Sequence, residues 1–174
     1  MAALLRRLNM GRLVNTTEKI TDFGKYLQNM MAQLKGKPYV KTGFPPNKFN
    51  TPHKQKKGSH VPISVGEVAV AMNFGTSTIP ARPFLTGTAE ATKTQMRAFM
   101  KREIQKIAKG ESAPAESLSR IGAYQVGLIQ KTISSNMPPP NSPATIARKG
   151  SSTTLIDSGQ MRQTVTYEVT LPVK

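Results

Sequence analysis

Apolar residues recur every three or four positions at Ile20, Phe23, Leu27, Met31 and Leu34, the period of one helix face. They predict an amphipathic helix capped by Thr16 or Thr17 and closed by Gly36. Lys37 to Phe44 then reads as a short strand. Pro45 to Ser59 shows no helical period and holds three prolines with Lys48, Lys54, Lys56 and Lys57, so it reads as a long basic loop. The β-branched content of Val61 to Met72 suits a strand, but Ser64-Val-Gly-Glu67 matches a capping box. In that motif a hydroxyl and a carboxylate each satisfy a free amide at a helix start. With Val65, Val68, Ala69 and Met72 following on one face, it predicts a helix over 64–74.

Met72 to Leu85, with Gly75 and two prolines around Ala81 and Arg82, predicts a sharp corner. From Pro83 a long helix runs to Gly110, with a stripe of Leu85, Ala89, Met96, Phe99, Met100, Ile104 and Ile107. Lys93, Arg97, Lys101, Arg102 and Lys106 stand between them. A second helix starts near Ser112-Ala-Pro and carries Leu118, Ile121, Val126, Leu128, Ile129 and Ile133 to about Ser135. The short link between the two predicts that they pack on each other. Residues 137–156, opened by Met-Pro-Pro-Pro-Asn-Ser-Pro, read as an ordered loop with one turn of helix from Ser142. Leu155 to Arg162 forms a second corner. Gln163 to Leu171 then alternates, Val165, Tyr167, Val169 and Leu171 against Thr164, Thr166, Glu168 and Thr170, as a half-buried strand does.

The reading is therefore an α+β fold: a small antiparallel sheet packed against two to three helices, with long extended loops and an N-terminal arm. A basic arm at 1–15 precedes one domain at 16–174, with extended loops at 45–60 and 137–156. No internal repeat is visible.

Charge adds a strong constraint. The 174 residues carry 25 Lys and Arg against 9 Asp and Glu, a net +16, which implies a polyanion or an acidic partner. The excess is uneven. Residues 1–60 hold 12 basic and 2 acidic residues, a net +10, and residues 61–174 hold 13 and 7, a net +6. The absence of cysteine excludes a disulfide framework and a thiolate nucleophile. No apolar run approaches the roughly 18–20 residues of a membrane-spanning helix, and the opening residues do not read as a secretory signal. No membrane partner is expected.

Catalytic chemistry has little to work with: two histidines, two aspartates and no cysteine. His53 and His60 lie in the basic loop, far in sequence from any acid that would complete a triad or a zinc set, and read as solvated. No catalytic residue, metal or cofactor is assigned. Lys48, Lys54, Lys56 and Lys57 are candidates to face DNA phosphates or an acidic partner, with a solvated loop as the competing reading. Aromatic residues do not interleave with them, which argues against base stacking. Arg82, at a helix entrance, is a candidate to pair with a carboxylate across a subunit interface or to cover the corner at the surface. Asp157 is a candidate inter-subunit partner or an N-cap for the turn holding Gln160 and Met161. Arg6, Arg7, Arg12, Arg148 and Lys149 complete the candidate interface set.

Three stretches carry a resemblance: Phe74-Gly-Thr with Ile79-Pro-Ala-Arg-Pro-Phe-Leu85, Met137 to Ser151, and Leu155-Ile-Asp-Ser-Gly-Gln-Met-Arg162. In order and spacing over roughly 60–170 they resemble the tail-completion and head–tail joining (neck) proteins of tailed bacteriophages. Asn73 stands where relatives often carry Glu before Phe-Gly-Thr. The resemblance implies a structural virion protein, not an enzyme: a small α+β subunit forming a six-fold ring at the head–tail junction or upper tail, through which DNA passes. Its partners would be copies of itself, head connector or adaptor proteins, and tail tube or terminator proteins, with sequence-independent contact to packaged DNA. It would be made in the host cytoplasm. A tail terminator capping the tail tube is the nearest alternative role, a non-specific DNA-binding protein the next, and an overlooked hydrolase the last.

Overall fold

The computed structural model describes residues 24–28, 30–32, 34–35, 37–54 and 63–171. The arm with Arg6, Arg7 and Arg12, the start of the first helix, Gly36, and Lys56, Lys57 and His60 lie outside the described residues. The described parts of 24–35 are helical (α1). Then follow β1 (Tyr39–Gly43), α2 (Pro46–Phe49), α3 (Val65–Phe74), α4 (Thr86–Ala91), α5 (Lys93–Ala108), α6 (Pro114–Ser134), α7 (Pro143–Lys149), α8 (Gln160–Thr164) and β2 (Thr166–Thr170). Among the described residues, eight helices and a two-stranded antiparallel sheet make an α+β fold.

The 21-residue α6 is the axis on which the rest is hung. β1 and β2 pair antiparallel, Tyr39 opposite Thr170 and Gly43 opposite Thr166, so the sheet joins the segment just after α1 to the last described element and lies on α6. Gly122 makes that contact possible, since a Cβ there would stand 2.6 Å from the Tyr167 ring. Farther along α6, Ile129 and Ile133 meet Val65 and Ala69 of α3, Phe84, Leu155, Met161 and Val165 in the core. On its remaining side α6 packs against α5, where Phe99 stacks on Tyr124 at 4.3 Å between ring centroids.

Local chemistry accounts for the elements. Ser64 caps α3 through the full capping box: its hydroxyl accepts from the Glu67 amide at 3.2 Å, and Glu67 accepts from the Ser64 amide at 2.7 Å. Pro114 occupies the first turn of α6, where its missing N–H costs nothing.

Four expectations are corrected. The single helix from 83 to 110 divides at Thr92 into α4 and α5. The Thr88 and Thr92 hydroxyls donate to the carbonyls of Phe84 and Thr88, four residues back, which loosens the helical ladder there. The basic loop contains α2, because Pro46 starts a turn whose Phe49 ring packs on Gly66. The 137–156 loop holds seven residues of helix in α7, capped by Ser142 and closed at Gly150 with φ of 71°. The final strand begins at Thr166, because α8 takes up Gln163 and Thr164.

Candidate functional site

The corner after α3 is built on two close approaches. Gly75 has φ of 79°, and a Cβ there would lie 2.9 Å from the Ala81 nitrogen, so only glycine lets the chain double back. The returning segment is tied to the helix it left: the Arg82 amide donates to the Met72 carbonyl at 2.7 Å. Asn73, buried at the end of α3, accepts from the Leu85 amide at 2.9 Å and the Thr86 amide at 3.5 Å, capping the next helix from outside. Asn73 thus fastens the exit of the corner.

Arg82 is 4% exposed, which corrects the expectation of a surface arginine at the bend. Its Nε donates to the Pro139 carbonyl at 2.9 Å, and one terminal nitrogen reaches the Pro140 carbonyl at 3.3 Å and Asn141 Oδ1 at 3.4 Å. The other lies 4.0 Å from the Met72 sulfur. The chemistry is matched: consecutive prolines have no N–H groups to offer one another, so their carbonyls need a donor, and a guanidinium supplies a planar fork of five. Burial lowers the Arg82 pKa from the ordinary arginine value. No carboxylate among the described residues pairs with it, so carbonyl dipoles hold the charge.

Asn141 passes the connection on. Its Nδ2 donates to the carbonyls of Ser152 at 3.4 Å and Thr153 at 3.2 Å, while Asn136 Oδ1 accepts from the Thr154 amide at 3.0 Å. Lys149 Nζ, half-buried, donates to the Thr153 and Thr154 carbonyls. Lys149 therefore works within the chain, whereas Arg148 on the same helix is exposed. Leu155, the next residue, enters the core. Hydrogen bonds thus tie the corner to the proline-rich loop 57 to 59 positions on, and that loop to the Ser152–Thr154 backbone that leads into the Leu-Ile-Asp turn. Comparison with protein-family models, with curated proteins and with solved structures returned no match.

The remaining candidates are placed as follows. Lys48 is exposed on α2 and Lys54 is exposed beyond it. The Lys54 amide donates to Gln160 Oε1 at 2.8 Å and Gln160 Nε2 donates to the Pro52 carbonyl at 2.7 Å, which pins the base of the basic loop to α8. Asp157 is exposed, and Gly159 rather than Asp157 holds the N-cap position of α8, because its left-handed φ of 75° starts the turn directly. His53 is half-buried, not solvated, because its amide pairs with the Ile63 carbonyl at 2.9 Å; its ring Nδ1 is buried with no hydrogen-bond partner among the described residues.

A second polar centre joins α5 to α6. Glu103, 2% exposed, accepts from Arg120 Nε and Lys106 Nζ, each at 2.7 Å, and Arg120 also pairs with Glu116 at 2.7 Å. Ser112 and Ser117 complete the network around the Arg120 guanidinium. Burial pushes the Glu103 carboxyl up, but the hydrogen bonds from Lys106 and Arg120 outweigh it and hold the pKa below the usual carboxylate value. Every charged atom here has a partner, so the cluster is a fastener between helices. Its signal in the sequence is a Glu one turn after Phe99 on an otherwise apolar face. Among the described residues no cluster of His, Cys, Asp or Glu could hold a metal.

Proposed function

We propose that this protein is a structural subunit of a tailed bacteriophage particle, forming a ring at the head–tail junction that completes the tail end and docks it to the head connector while DNA passes through. The observation that carries this reading is the Arg82 interlock. Its guanidinium ties the first of the resembling stretches to the second, and Asn141 ties the second to the Ser152 and Thr153 carbonyls that lead into the third, an arrangement that supports reading them as one architectural unit. Two further features support it. Val70 and Phe74, 48% and 67% exposed, stand one turn apart on α3 just before the corner, an apolar pair suited to a neighbouring subunit. The net charge of +16 suits a DNA conduit, where lysines meet phosphates without reading bases.

The test is imaging of the purified protein with sedimentation to give its mass, alongside DNA binding over a range of salt. A ring, formed alone or with connector and tail proteins, with weak DNA binding, is the expected outcome. A stable monomer that binds DNA tightly with a steep salt slope would overturn it.

A further inference from the structure

We propose that the outward face of α5, formed by Lys93, Arg97, Met100, Lys101 and Ile104, is the docking surface for an acidic protein partner that offers apolar side chains flanked by carboxylates. The proposal deepens the ring reading and rests on it, since the partner would be a different polypeptide of the same assembly.

The face exists because of Glu103. Met96, Phe99, Glu103, Lys106 and Ile107 are the sheltered positions of α5, and the bonds from Glu103 to Arg120 fix the helix in that rotation. Met100 and Ile104, which the apolar pattern places on the same stripe, are thereby turned outward, 41% and 60% exposed. Positions 93, 97, 100, 101 and 104 follow three- and four-residue spacing and share one side of the helix over roughly 17 Å, at about 1.5 Å per residue. Two aliphatic side chains therefore sit among three cations.

The charges select the occupant. No carboxylate among the described residues lies within ion-pair distance of Arg97 or Lys101; Lys93 meets Glu90 at 3.6 Å, a weak exposed pair. A second copy of this chain is a poor match. Among the described residues Glu67 is engaged in a helix cap, Glu90 with Lys93, Glu103 and Glu116 with Arg120, and Glu111 with Lys109; the exposed Asp157 and Glu168 lie on different parts of the fold, and the chain as a whole carries +16. A nucleic acid would satisfy the cations but leave Met100 and Ile104 with nothing to bury against. An acidic protein surface with an apolar centre satisfies both.

The experiment uses the purified full-length chain and four probes: a synthetic amphipathic helix of Leu and Glu, polyglutamate, a duplex oligonucleotide of matched charge, and phosphatidylserine vesicles. Binding of the Leu-Glu helix about tenfold tighter than the other three is expected. Ile104→Ser should weaken it about fivefold to tenfold with an unchanged melting temperature, because an exposed aliphatic contact is lost only in the complex. Arg97→Glu with Lys101→Glu should remove binding, while Lys131→Glu, exposed on α6, should leave it within about twofold. Equal binding of polyglutamate, duplex or vesicles, no effect of Ile104→Ser, or an equal effect of Lys131→Glu would each overturn the proposal. Because the readout is peptide affinity and not ring formation, this surface and the ring reading can fail separately.

Discussion

Arg82 does work that a lysine cannot repeat. Its guanidinium reaches two proline carbonyls and Asn141 at once, whereas an ammonium at that depth would meet one or two and leave the rest unpaired. Arg82→Lys is expected to cost about 1–3 kcal/mol, and Arg82→Met more, because buried acceptors are then orphaned. At roughly 2–4 °C per kcal/mol for a domain of this size, thermal unfolding resolves either change. Proteolysis should open residues 139–154 first. An unaltered melting temperature and cleavage pattern in Arg82→Met would show that the clamp does not hold the loop. Asn73→Ala should cost about 1 kcal/mol through the lost cap on α4. Arg82 itself was legible as special from its place between two prolines, but its burial was not. A positive side chain reads as surface until its acceptors are known, and these lie 57 to 59 positions away in sequence.

At the scale of elements, the contacts of α6 with α5 and with the sheet are of opposite kinds. The first is charged. Glu103 has its pKa lowered in the fold, so its stabilising contribution is complete above the unfolded value of about 4.3 and is lost as pH falls through the lower folded value. Glu116, held down by Ser112 and Arg120, adds in the same direction. The stability gap between wild type and Glu103→Gln should therefore be wide at neutral pH and narrow toward pH 3, as chemical denaturation would show; a gap independent of pH would refute the assignment. The second contact is steric. Gly122→Ala drives a methyl into the Tyr167 ring near its root, where the ring cannot swing away, and should cost about 1–3 kcal/mol. Pairing it with Tyr167→Ala should give less than the sum of the two losses. The existence and order of the major elements were readable from period and caps: α3 from its capping box, α6 from its apolar face, β2 from its alternation. The break at Thr92 and the short α2 were not, because hydroxyl back-bonding and one ring on a glycine leave no periodic trace.

For the molecule as a whole, the basic loop and the interlock divide the labour. Gln160 ties the loop's base to α8, leaving Lys48 and Lys54 exposed. Replacing Lys48, Lys54, Lys56 and Lys57 by Gln should weaken DNA binding equally for all sequences. If all four meet phosphates, the slope of log affinity against log salt should fall by about four. Oligomer mass should not change, since the interlock lies elsewhere. A change in mass without a change in slope would place the loop in a subunit contact instead.

Composition and spacing alone establish a basic chain without cysteine, an α+β order of elements and the two corners, because charge count, helical period and the needs of glycine and proline are local properties. Which face of α5 is buried, where Arg82 points, and that the corner and the proline-rich loop form one unit depend on contacts between residues far apart in the chain. Glu103 illustrates why: a carboxylate enters an apolar face only when Arg120, on another helix, is there to receive it.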